Sequence, residues 1–160
     1  MKTKKIKTFV LTVSRNFPMT HPRKGEPTYF ECRIKSAISD DQIMWQKKHT
    51  CRGNYPLWKK RIEQVQAGEA ILSIRYWSGR SYNSKQVEIY QLDKDSGIGV
   101  QDMEFLNGNI LDPIIEGRVE IETTDLCKND GLSFQDFKDW FKGYNLSEPM
   151  AIIWFCNQRY

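Results

Sequence analysis

Alternating apolar and polar positions open the chain: 6-IKTFVLTV-13 is β-branched and aromatic-rich and predicts a first strand. The segment 14-SRNFPMTHPRKGEP-27 carries three prolines and reads as a loop. From Pro27 the period lengthens, and Phe30, Ile34, Ala37 and Ile38 fall on one face of a predicted helix. A second helix is predicted over 55-YPLWKKRIEQVQAG-68, with Pro56 at its start, Trp58, Ile62 and Val65 on one face and Gly68 at its end. Strand-like runs then follow in 70-AILSIRYW-77, 85-KQVEIYQL-92, 98-IGVQDMEFL-106 and 117-GRVEIET-123, with Asn107-Gly108-Asn109 as a hairpin signal. Phe134, Phe137, Trp140 and Phe141 form an aromatic stripe on a helix near 133–143, read as core, with Ser133 and Asp130 as candidate caps. The run 149-PMAIIWFC-156 suits a central buried strand. With an extended stretch near 47–52 the order is β-α-β-α-βββ-β-α-β. Helices do not alternate regularly with strands, so a doubly wound sheet is excluded. The pattern predicts an α+β class, a small, partly open mixed β-barrel flanked by about three helices.

At 160 residues, with no repeat or linker, the chain is expected to form one domain over 1–160. No apolar run is long enough to span a membrane, and the basic start Met1 to Lys7 precedes an apolar stretch too short for a signal peptide, so a cytoplasmic protein is expected. Cys32, Cys51, Cys127 and Cys156 show no paired spacing and read as reduced, packed thiols. Charge is divided unevenly. Residues 1–90 hold 18 Lys/Arg against 7 Asp/Glu, whereas residues 91–160 hold 6 against 13. Such asymmetry points to a surface for an anion, unless the halves interleave and the charges mix.

The densest chemistry lies in 46-QKKHTCRGN-54. His49 and Cys51 share a strand face, but without two further ligands at zinc spacing no metal is expected. Cys51 stands among cations that would favour a thiolate, yet has no orienting carboxylate nearby in sequence. Arg52 offers a rigid fork, Thr50 a hydroxyl, and Lys47 and Lys48 point charges, a set suited to an anion pocket; a solvated edge strand guarded by lysines is the competing reading. Gly53-Asn54 then allows a tight turn. Further along, 74-IRYWSGRSYNSK-85 interleaves Arg75, Trp77 and Arg80 with other aromatic and basic groups, as a stacking platform for unpaired bases would. The loop 14–27, with Arg15, His21, Arg23 and Lys24, is long enough for a lid, a merely mobile loop being the competing reading.

These pieces resemble, in order, the ASCH domain of the PUA-like superfamily. Lys47, Thr50 and Arg52 match its Lys-x-x-Thr-x-Arg segment, Gly68-Glu69 its strand entry, 129-NDGLSFQDFKDWF-141 its late acidic segment and helix, and "AIIWF" its closing strand. The likeness spans roughly residues 6–156, with 14–27 and 93–116 resembling insertions, and is strongest to phage- and prophage-type members from Bacteroides-like bacteria. It implies a cleft that binds RNA or a modified nucleotide, without a cofactor. One similar branch hydrolyses N4-acetylcytidine with a lysine, a threonine and a glutamate. Carried over, Lys47 is the base, Thr50 the nucleophile and Asp130 the supporting carboxylate, one methylene shorter than glutamate. Lys48, Arg52, Arg75, Trp77 and Arg80 are the candidate ligand contacts. The readings left open are an RNA- or nucleotide-binding domain, an amidohydrolase of N4-acylated cytidine, and a phage-encoded protein-interaction module.

Overall fold

Most of the apolar periods become elements close to their predicted bounds. The computed structural model describes residues 3–160; Met1 and Lys2, the start of the basic N-terminal stretch, lie outside them. In chain order the elements are β1 (Lys7–Thr12), α1 (Phe30–Ser39), β2 (His49–Gly53), α2 (Tyr55–Gln66), β3 (Ala70–Trp77), β4 (Gln86–Leu92), β5 (Gly99–Phe105), β6 (Pro113–Ile115), β7 (Val119–Glu120), α3 (Thr123–Asn129), α4 (Phe134–Trp140) and β8 (Met150–Trp154). The class is α+β.

Two sheets share the strands. β1, β3 and β4 form one, with β1 parallel to β3 and β4 antiparallel to it. The parallel pair needs a crossover, and the intervening chain supplies α1, β2 and α2. The second sheet has the order β2-β8-β5-β6-β7 and is antiparallel throughout. Among the described residues backbone pairing leaves these as two sheets. β8 lies between β2 and β5, and all five of its residues are buried, which is why its sequence is apolar at every position. α2 packs against β3, β5 and β8 and buries Trp58, Ile62 and Val65.

Two predictions change. The strand expected over 117–123 shrinks to β7, because Glu116 and Gly117 take positive φ (54° and 70°) and turn the chain where that strand would begin. The residues after β7 coil into α3, a fourth helix whose short stripe, Leu126 and Cys127, is buried. The Asn107-Gly108 signal does turn a hairpin, through Leu106–Gly108, and joins β5 to β6. In the last helix Phe137 and Phe141 enter the core, while Trp140 stays half-buried.

Candidate functional site

The site is assembled where α3 ends. Gly131, at φ +76°, donates its N–H to Lys128 O (3.1 Å), and Leu132 N–H reaches Cys127 O (3.0 Å), the paired bonds of a Schellman ending. A Cβ at Gly131 would lie 2.9 Å from Lys47 Cβ, so glycine lets this turn press against the residues entering β2. Backbone bonds hold the contact: Lys48 N–H donates to Asn129 O (2.7 Å) and Lys47 N–H to Arg33 O (3.0 Å). Asp130 is thereby carried to Lys47. It does not cap α4, whose N-cap is Ser133, accepting from Asp136 N–H at 3.1 Å.

Lys47 is 2% exposed. Its Nζ donates to Asp130 O (2.7 Å) and to Asp130 Oδ1 (3.1 Å), and lies 4.2 Å from the centre of the Phe30 ring. Burial lowers the lysine pKa, and the opposing pull of Asp130 does not restore it. Burial also lowers the pKa of His49, against the same carboxylate's pull. The Cys51 thiol moves the other way. Burial and Asp130 raise it well above the ordinary 9.0 despite Lys47 and Arg52, so the cationic neighbours do not make it a thiolate.

His49, Cys51 and Asp130 bring one donor atom each within 4.8 Å of one another, the one group of three such residues among those described. Sequence spacing could not show it, because Asp130 joins only through the fold. Lys47 Nζ already donates to Asp130 Oδ1 there, so that carboxylate is engaged in an internal ion pair.

Lys47, Thr50, Arg52, Trp77 and Asp130 line one cleft of about 660 Å³, inside the roughly 300–1,000 Å³ typical of small-ligand sites. The charged groups in its wall are Arg15, Lys47 and Arg52 against the single carboxylate of Asp130. Thr50 comes from β2, paired with Ile153 of β8. Arg52 donates through Nη2 to Thr12 O, tying β2 to the end of β1, and burial lowers its pKa. Left-handed geometry after β2 falls on Asn54 (φ 62°), whose side chain also caps α2. Trp77, half-buried at the end of β3, lies 5.2 Å ring to ring from exposed Tyr82. Tyr76, the alternate face, packs against the core with Arg15 over its ring at 5.5 Å.

Three predicted contacts lie elsewhere. Lys48 turns away from Lys47 and donates to Gln158 Oε1 (2.9 Å), in the wall of a second cleft. Arg75 is spent along the β3–β4 pair, on Ser73 Oγ (2.8 Å) and Gln86 Oε1 (3.1 Å). Arg80 sits in the exposed turn after β3; its neighbours Ser81 and Tyr82 reach the cleft and it does not line it. The expected lid is a pinned wall. Phe17 and His21 are buried with their rings 5.7 and 6.0 Å from Trp140, and Arg23 Nη1 donates to Asp136 Oδ2 at 2.6 Å. Pro18 and Met19 remain at the lip. Tyr82, Trp140, Phe141 and Tyr144 also line the cleft. Their aromatic character was visible in the sequence, but the stripe at 134–141 read as core alone.

No protein-family model, curated protein or solved structure matches this chain.

Proposed function

We propose that this chain is an ASCH-type, PUA-like domain whose cationic cleft binds RNA or a modified nucleotide in the cytoplasm. The observation that carries the reading is the convergence, in one concave wall, of three cations with a hydroxyl and a half-buried indole. Arg15 and Arg52 suit phosphate oxygens, Trp77 offers a face for an unpaired base, and Lys47 with Thr50 supplies polar groups deeper in. The three residues of the Lys-x-x-Thr-x-Arg segment reach the same cleft as Asp130, the arrangement the resemblance implies. On this reading the two sheets, tied by the Arg52–Thr12 contact, correspond to an opened barrel. The test is titration of short single-stranded RNAs and nucleotides at several salt concentrations. Binding that weakens steeply with salt and is lost on Arg52→Ala supports the proposal; salt-independent binding, or none, refutes it.

A second reading, hydrolysis of an N4-acylated cytidine, is favoured by the buried Lys47–Asp130 pair beside Thr50. A lysine whose pKa burial has lowered is a better base for a threonine hydroxyl. Both of its present hydrogen bonds go to Asp130, so catalysis requires Nζ to swing toward Thr50 when substrate binds. Incubation with N4-acetylcytidine tests it: deacetylation that Thr50→Ala abolishes, with binding retained, is the expected signature.

A further inference from the structure

His49 belongs to neither reading, yet it is wholly buried and hydrogen-bonded through one ring nitrogen. Its Nε2 lies 2.6 Å from Tyr160 Oη, and Tyr160 Oη accepts from Asn129 Nδ2 at 3.1 Å. On its other side Nδ1 lies 3.4 Å from Asp130 Oδ1 without forming a hydrogen bond, and has no other partner among the described residues. The ring cannot easily rotate: Trp154 meets it edge-on at 4.7 Å and Tyr160 at 5.6 Å. Tyr160 is itself fixed, its N–H donating to Gln101 Oε1 (3.0 Å), which also accepts from Trp154 Nε1 (2.8 Å).

A phenol has one proton to give. With Asn129 donating to its oxygen, that proton has His49 Nε2 as its acceptor. Nε2 then carries the lone pair, and a neutral imidazole must hold its own proton on Nδ1, facing the carboxylate. The opposite tautomer would aim the Nδ1 lone pair at Asp130 and leave the phenolic proton without an acceptor at His49. The first is costly where water is excluded, and the second asks Tyr160 Oη to accept twice, from Asn129 and from His49, while its own proton turns toward the second cleft.

We infer that Asn129, Tyr160 and His49 form a hydrogen-bonded strut that holds the imidazole as the Nδ1–H tautomer, its proton turned toward Asp130 Oδ1 at 3.4 Å, where it adds a positive dipole to the charge Lys47 sets against that carboxylate. Asn129 and Tyr160 line the second cleft, whereas Asp130 and Lys47 line the cationic one, so the strut runs through the wall between them. His49 and Tyr160 are positioning residues here: they act on Lys47 through Asp130. The inference does not depend on what either cleft binds.

The chain carries its own control. The other histidine of the two, His21, accepts Arg23 N–H at Nδ1 (3.0 Å), so its Nε2 donates to Asp136 O (3.1 Å). The two rings should therefore be opposite tautomers in one protein. Long-range proton–nitrogen NMR of the full chain at neutral pH reads both directly, without any ligand. The expected spectrum shows His21 protonated at Nε2 and His49 at Nδ1. Tyr160→Phe should erode the preference at His49 alone and speed exchange of the Lys47 ammonium protons. His49→Asn, which keeps a donor near the Nδ1 position, should retain slow exchange better than His49→Gln. An Nε2–H signal from His49 in the unaltered protein overturns the inference, even if no variant folds. So does unchanged exchange at Lys47 in a folded Tyr160→Phe protein. A bare Nδ1 whose signal moves on adding zinc would overturn it too, and would make His49, Cys51 and Asp130 a cation site.

Discussion

Two clefts meet at the segment entering β2, and consecutive lysines face different ones. The cleft reached by Lys47 has three cations to one carboxylate in its wall. The other, about 780 Å³, is reached by Lys48 and has two lysines, Lys48 and Lys128, against Asp112, Glu120, Glu122 and Asp125. Size does not separate them; charge and depth do. In the cationic cleft the lysine is buried, paired and stripped of water, so its chemistry is set by Asp130 and Phe30. In the acidic one the lysine is part-exposed and reaches a glutamine, where water screens it. The uneven charge of the two halves of the chain is thus only partly mixed by folding: first-half cations face one cleft and second-half acids the other.

The sharpest way to break this comparison is to neutralise each lysine. Lys47→Met leaves the Asp130 carboxylate buried without its partner and should cost about 3–5 kcal/mol in urea unfolding. Lys48→Met should stay within about 0.5 kcal/mol. Equal effects would mean that Lys47 is not the buried member of the pair. Next in size is the ligand's grip: Trp77→Ala should lose about 1–3 kcal/mol of binding to single-stranded RNA if a base stacks there. Leu111→Ala, in the acidic cleft, should leave RNA affinity unchanged, measured by the same titration.

The partition of the lysines also rests on the α3 turn. Gly131→Ala forces a side chain into left-handed backbone, at about 1–2 kcal/mol, and drives its Cβ toward Lys47. Its melting temperature should fall, and ligand binding in the cationic cleft should weaken with it. The smallest effect is in pH. Burial lowers the folded pKa of Lys47, so between that value and the ordinary 10.5 the unfolded chain binds the extra proton and stability from this group rises with pH. Buried Cys51 contributes the opposite slope. That slope is removed in Cys51→Ala, whose stability should rise with pH toward 10.5 in denaturation curves more steeply than that of Cys51→Ala carrying Lys47→Met.

Much of the fold was legible because helical and strand periods are local. The stripe Trp58, Ile62, Val65 announced α2, and the unbroken "MAIIW" announced a strand covered on both faces. What misled was backbone geometry without a strong apolar signature: positive φ at Glu116 cut a promising strand short, and α3 has only one full turn of buried residues. The site was half legible. Clustered Lys47, Thr50 and Arg52 marked it, but only the Lys-x-x-Thr-x-Arg resemblance told Lys47 from Lys48, and His49 gave no hint of Tyr160.

By itself the sequence determined the alternations and helical stripes, the class of the fold, and which short segment concentrates cations beside a hydroxyl. Tertiary structure alone decided which lysine is buried, that Asp130, 83 residues away and expected beside Lys47 only from the family resemblance, bonds it directly, and that two histidines face opposite hydrogen-bond demands. The physical reason is range. Propensity and periodicity act over a few residues, whereas desolvation and ion pairing depend on which distant backbone a left-handed glycine allows to come close.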